Sequence, residues 1–255
     1  MKITLKKSQP LALVLLAVLA LGACSTAPIL PEGEEPVEPR FDADRVLIEG
    51  TTTASSDIWD PWEGFNRSMY RFNYRFDKYV FLPAVTGYQA ITPDFMEKGI
   101  RNFFRNIQDI TTLINSILQL SPEKTANTAT RLVINSTIGL LGFIDVAHDV
   151  PRSDEDFGQT LGRWGVGTGP FLVLPILGPS SVRDGTGTLV DRIVFSEIRD
   201  EALELETWQE WTWDILSALN TRANTAFRYY ETGSPFEYEW VRLLYTTKRQ
   251  LDVER

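Results

Sequence analysis

Between Gly139 and Gly187 the chain concentrates 10 of its 17 glycines. They alternate with Leu140, Leu141, Phe143 and Ile144, and later with the run Phe171-Leu172-Val173-Leu174-Pro175-Ile176-Leu177. Glycine and proline interrupt regular hydrogen bonding, and backbone polar groups freed among apolar side chains must find partners away from water. Such a block requires deep burial or a lipid environment, because an ordinary aqueous surface does not carry so much contiguous apolar material.

Around this block the pattern is helical. Asp60-Pro61-Trp62-Glu63 has an acid at the N-cap, proline at the first helical position and glutamate two residues on, a helix start. Trp62, Phe65, Met69, Phe72, Phe76 and Tyr79 then recur at spacings of three and four and draw one apolar stripe. Arg67, Arg71, Arg75 and Lys78 form a second stripe roughly opposite, flanked by Tyr70 and Tyr74. Basic side chains beside tyrosines suit a helix lying at a lipid headgroup layer, and equally an amphipathic helix with a solvated basic face. Thr92-Pro93 predicts a second helix to about Leu120, on the order of 40 Å long at 1.5 Å per residue. Ser121-Pro122 starts a third, and Trp208, Trp211, Trp213 and then Trp240, Leu243 and Leu244 predict helices near the C-terminus. No strand-rich region and no internal repeat stand out, so the expected class is all-α.

Chemistry-bearing residues are scarce. One cysteine, Cys24, and one histidine, His148, exclude an intrachain disulfide and supply too few ligands for a Cys/His zinc cluster. A formal charge of −9 argues against nucleic acid as a partner. Gly165-x-Gly167-x-Gly169 lacks both the dinucleotide fingerprint and the P-loop lysine, and is expected to be a bend that lets two apolar segments approach closely. Ser180 and Ser181 lie outside a Gly-x-Ser-x-Gly elbow, and His148 with Asp149 reads as a surface pair. Asp154, Glu155 and Asp156 read as a solvated loop or a cap on the segment starting at Phe157. No catalytic residue, metal ligand or cofactor follows from this inventory.

The N-terminus carries an address. Lys2, Lys6 and Lys7 precede an apolar run, Leu11 to Leu21, too short to span a bilayer, and small residues follow it. Leu21-Gly22-Ala23-Cys24 resembles the lipobox of bacterial lipoproteins, which implies acylation of Cys24 after removal of residues 1–23 and a stable multi-chain anchor. Ser25 beside the anchor implies sorting to the outer membrane. Cleavage removes three lysines and no acid, leaving −12. Residues 24–57, rich in Pro, Glu, Thr and Ser, are expected to be a disordered tether.

Two blocks carry a family resemblance. The first is Asp60-Pro61-Trp62-Glu63-Gly64-Phe65-Asn66-Arg67 with Phe72-Asn73 and Asn102-Phe103-Phe104-Arg105-Asn106. The second is Asn135-Ser136-Thr137-Ile138-Gly139, then Asp156-Phe157-Gly158-Gln159-Thr160-Leu161-Gly162, Trp164-Gly165-Val166-Gly167, and Gly169-Pro170-Phe171 through Ser180 to Arg183-Asp184. Together they resemble the MlaA (VacJ) family of outer-membrane phospholipid-transport lipoproteins. In the C-terminal third, Ser234-Pro235-Phe236 stands where the family usually has Asp-Pro-Tyr, and the tether is longer than usual.

The resemblance implies an all-helical, ring-shaped, membrane-embedded domain over residues 58–245, with a polar tail at 246–255 and a central amphipathic channel. It implies a protein on the periplasmic side of the outer membrane, beside a trimeric porin. There it would remove phospholipids mislocalised to the outer leaflet and pass them to a soluble periplasmic carrier. Gly165, Gly167, Gly169, Phe171, Leu172 and Leu174 are then expected in the channel wall, and Arg67, Arg71 and Arg75 near headgroups. A lipid-anchored phospholipase and a non-transporting porin-binding scaffold are the alternatives.

Overall fold

The computed structural model describes residues 58–231 and 233–255. The expected signal segment, Cys24 and the tether to residue 57 lie outside them. Helix α1 spans Glu63–Phe76 and continues through a π-helical turn, Asp77–Phe81, into α2, Leu82–Ile91. Helices α3, Asp94–Leu118, and α4, Pro122–Thr137, follow as the Thr-Pro and Ser-Pro starts predict, and pack on each other. A long loop leads to the short α5, Phe157–Arg163, and then to α6, Val182–Leu203, α7, Thr207–Ala223, and α8, Glu237–Glu254. Helix α8 runs through residue 245 without a break, so residues 246–254 are helical rather than a separate tail.

Between α5 and α6 the chain departs from the all-α expectation. Strands β1, Phe171–Leu174, and β2, Gly178–Ser181, form an antiparallel hairpin with Phe171 opposite Ser181 and Leu174 opposite Gly178. Two asparagines seven residues apart on α1 pin it. The Asn66 side chain donates to the Phe171 carbonyl at 3.0 Å and accepts from the Val173 N–H at 2.9 Å. Asn73 likewise donates to Leu174 O at 2.9 Å and accepts from Ile176 N at 2.7 Å. A helix thus supplies, through side chains, the backbone partners that a two-stranded hairpin lacks on one edge.

The polarity of the body is inverted. Among the described residues, seven hydrophobic side chains are buried against twenty-four polar or charged ones. On α1 the inward face is Asn66, Tyr70, Asn73 and Asp77, while Trp62, Phe65, Phe72 and Tyr79 of the apolar stripe are exposed. Helix α3 repeats this, burying Asn106, Asp109, Thr112, Asn115 and Ser116 while Phe95, Met96, Ile117 and Leu118 are exposed. Periodicity reveals that a helix has two faces and leaves open which one points inward. The small apolar cluster of Tyr70, Phe171, Val173 and Tyr238 sits where α1, β1 and α8 meet. Among the described residues no helix is long and apolar enough to cross a membrane.

Buried ion pairs close the interior. Arg242 of α8 reaches Asp60 at 3.0 Å, and Arg249 pairs with Asp156 at 2.7 Å and Asp184 at 3.0 Å. Asp60 is therefore not the α1 N-cap that its position suggests. Helix α1 has no side-chain cap, and the Asp60 carboxylate instead accepts from Asn66, Tyr238 and Arg242.

Close helix contact falls on Gly187 of α6. A Cβ added there would stand 2.2 Å from the backbone N of Gly158 in α5. Since the obstacle is main chain, Gly187→Val must push α5 away, and a loss of about 3 kcal/mol or more is expected. Thermal unfolding in detergent measures it. Gly167→Val, with nothing within 4 Å of the added atom, should melt as the parent does.

Candidate functional site

An apolar cleft of about 410 Å³ lies between α3 and α7. Ile100, Phe103 and Phe104 of α3 form one wall, Trp208, Trp213 and Leu216 of α7 the other, and Phe143 from the α4–α5 loop joins them. Trp213 is its aromatic centre, with ring centroids 5.6 Å from Phe103 and 5.4 Å from Phe104. The two polar side chains in the lining are engaged within α7 itself. Gln209 accepts from the N–H of Glu206 at the start of the helix, and Thr212 donates to the carbonyl of Trp208. The volume is in the range of small-molecule clefts, and walls of this composition suit an apolar occupant.

The structure scatters the residues singled out from sequence. Gly165, Gly167 and Gly169 lie in an exposed segment ahead of β1, away from this cleft. Gly165 and Gly167 do not bring two segments together, since an added Cβ meets nothing within 4 Å at either, whereas one at Gly169 would touch Val182 at 3.5 Å. Gly165 and Gly169 serve backbone conformation instead, with φ of +87° and +70°. Leu172 and Leu174 are half-buried on the outer side of β1. Phe171 alternates to the other side and is a core residue, its ring edge-on to Tyr238 and Tyr245, so it does not line an open path.

The basic stripe of α1 also divides. Arg67 bonds Glu63 and Glu239 and lies over the Tyr238 ring, which makes it a protein contact rather than a headgroup contact. Arg71 and Arg75 are exposed. Lys78 follows them, its ammonium 5.6 Å from the Tyr74 ring and 5.4 Å from that of Tyr79. Tyr70, expected on the flank of the stripe, is buried and donates to Glu237 at 2.6 Å.

Ser181 is the N-cap of α6, accepting from Asp184 N at 3.1 Å, and Asp156 caps α5 by accepting from Gln159 N. His148 is exposed and pairs with Asp149 at 3.5 Å, as the sequence reading has it. The candidate feature that sequence reading missed is the cleft. Its α3 wall carries a signal, Phe103-Phe104 at helical spacing from Ile100, but the pairing with α7 more than 100 residues later has no local trace.

A solved structure described as the structural basis for maintenance of bacterial outer membrane lipid asymmetry superposes with a TM-score of 0.60 at 28% identity, covering 76% of this chain and 98% of that one. The intermembrane phospholipid transport system lipoprotein MlaA of Escherichia coli (strain K12) is 34% identical over 190 residues, covering 69% of this chain and 72% of that protein. An uncharacterised protein of Rickettsia prowazekii (strain Madrid E) is 40% identical over 136 residues, 52% of this chain and 54% of its own length, so the chain spans about half of such relatives. The family model described as MlaA lipoprotein matches residues 58–252, and the chain belongs to the MlaA lipoprotein family.

Proposed function

We propose that this chain is an outer-membrane lipoprotein, acylated at Cys24 and held by the segment 24–57, that takes mislocalised phospholipids from the outer leaflet and passes them to a soluble periplasmic carrier, beside a trimeric porin. The observation that carries the reading is the inverted polarity of the body. A polar, ion-paired interior under an exposed aromatic and aliphatic surface is the arrangement expected when hydrocarbon replaces water as the surroundings. The names of the relatives, which concern phospholipid transport and lipid asymmetry, support the same direction.

In this reading the body is a ring with an amphipathic channel, and the α3–α7 cleft receives acyl chains. Lys98 and Arg105, exposed on α3 near its lining residues, meet headgroup phosphate, while Arg101 is engaged by Asn224. Arg71 and Arg75 of α1 face headgroups from the other exposed helix, while Gly165, Gly167, Gly169, Leu172 and Leu174 form a compliant stretch of the channel wall. Transport of this kind uses no nucleophile.

Phe104→Glu tests the reading by placing a charge in the cleft. In cells producing this variant as their sole copy, outer-leaflet phospholipid should rise to the level of a deletion strain while the variant stays folded and membrane-bound. Unchanged asymmetry would remove the cleft from the transport path and favour a porin-binding scaffold. Fatty acid release by the purified parent protein would favour a phospholipase.

A further inference from the structure

The α4–α5 loop opens with an apolar turn, residues 138–146, whose Ile138, Leu140, Leu141, Ile144 and Val146 are all exposed. Leu140 and Leu141 are about two-thirds exposed and have φ of +53° and +60°, consecutive bulky residues in the left-handed region. Such residues are strained and persist only where their surroundings enforce them.

A polar clamp beneath the turn does so. Asn135 donates to Asp145 and accepts from the N–H of Ala147, Arg131 donates to Ala147 O at 2.6 Å and pairs with Asp145 at 3.1 Å, and Asn106 donates to Leu141 O at 3.3 Å. The clamp holds the polar side of the turn down and directs the leucines outward.

The backbone is the second observation. The N–H groups of Ile138, Gly139, Leu141, Gly142, Phe143, Ile144 and Val146 all donate to carbonyls within the segment 134–144, and the Phe143 carbonyl accepts from Asn102. Seven of the nine N–H groups of residues 138–146 are thus bonded within the chain, more than a turn bathed in water requires, since water satisfies free donors. In hydrocarbon an unsatisfied backbone group is costly, so irregular backbone is found there where most of its groups are bonded internally. Asp145, the one charged residue of the segment 138–146, is held by Arg131 and Asn135 beneath the turn, so no outward charge sets a register with a protein partner.

We propose that residues 138–146 form a membrane-inserted finger whose tip, Leu140 and Leu141, lies among lipid acyl chains. The same turn carries Phe143 on its inner side into the α3–α7 cleft, so the finger joins the acyl phase of the bilayer to the cleft wall. The inference rests on the membrane-embedded reading above and adds a specific point of insertion to it.

The test is site-specific photocrosslinking in the full-length chain within its own membrane. A benzophenone amino acid replaces Leu141, and, in parallel chains, Phe72 on the exposed aromatic face of α1 and His148 on the polar arm of the same loop. The expected result is a phospholipid adduct by mass at Leu141 with a yield severalfold above that at His148. Lipid adducts at Phe72 with protein adducts or none at Leu141 would overturn the finger and leave the embedded reading standing. Absence of lipid adducts at both Phe72 and Leu141 would overturn the two together.

Discussion

Arg249→Ala is expected to destabilise the fold by about 3 kcal/mol, because it strips Asp156 of its arginine and leaves the buried Asp184 carboxylate with Arg183 alone. Asp184 is 4% exposed, and Arg249 reaches it at 3.0 Å while also bonding Asp156 at 2.7 and 2.8 Å. Thermal unfolding in detergent should show a fall on the order of 10 °C for a body of this size. Adding Asp156→Asn to Arg249→Ala should recover part of the loss, since Asp156 is the carboxylate left without an arginine while Asp184 keeps Arg183, and asparagine caps a helix as well as aspartate.

The same cluster gives stability a signed dependence on pH. Burial pushes the Asp156 and Asp184 carboxyls up, and the Arg249 hydrogen bonds overcome it and hold both below the ordinary carboxylate range. Their native pKa lies below the unfolded one, so this stabilisation is present at neutral pH and is lost as pH falls through the ordinary carboxylate range and below. Asp109 has the opposite sign. Burial raises it to about 6 against the opposing charges of Arg152 and Arg131, so its contribution weakens as pH rises from the ordinary carboxylate range through 6. Asp109→Asn should flatten that upper arm alone, and Arg249→Ala the acid arm, in melts taken across pH.

A second large effect is expected at Asn66, where polarity inverts the usual rule for helices. Asn66→Leu leaves the Phe171 carbonyl and the Val173 N–H unsatisfied in the interior. At about 1–3 kcal/mol for each of the two orphaned groups, the loss is roughly 2–6 kcal/mol. Phe65→Gln, one residue earlier on the exposed stripe, should stay within about 0.5 kcal/mol of the parent. In a helix packed by its apolar face the outcomes would be reversed, with leucine tolerated and the glutamine costly. Parallel melts of the two variants therefore report which side of α1 faces inward.

Much of the secondary structure was legible. Proline after threonine or serine places the starts of α3 and α4, and Asp156 ahead of Phe157 reads as a cap and is one. These signals are local: each depends on a few adjacent residues and a backbone preference. What escaped depends on distance. Asn66 and Phe171 are 105 residues apart, and nothing near either announces that a helix side chain will complete a strand. The inward face of α1 escaped for a different reason. Amphipathic spacing is the same whether water or hydrocarbon lies outside, so the solvent must be known before the faces can be assigned. The glycines illustrate both limits. Gly187 is needed for α5 to approach α6, a contact invisible in sequence, while the conspicuous Gly165 and Gly167 face open space.

The α3–α7 cleft is proposed to receive phospholipid acyl chains within a body embedded in lipid. Native mass spectrometry of full-length protein extracted gently from its membrane tests this directly, comparing the parent with Trp213→Glu at matched helical content. The parent is expected to retain bound phospholipid and the variant to lose it. Equal phospholipid on both, or a parent that is free of lipid while still folded, would contradict the account.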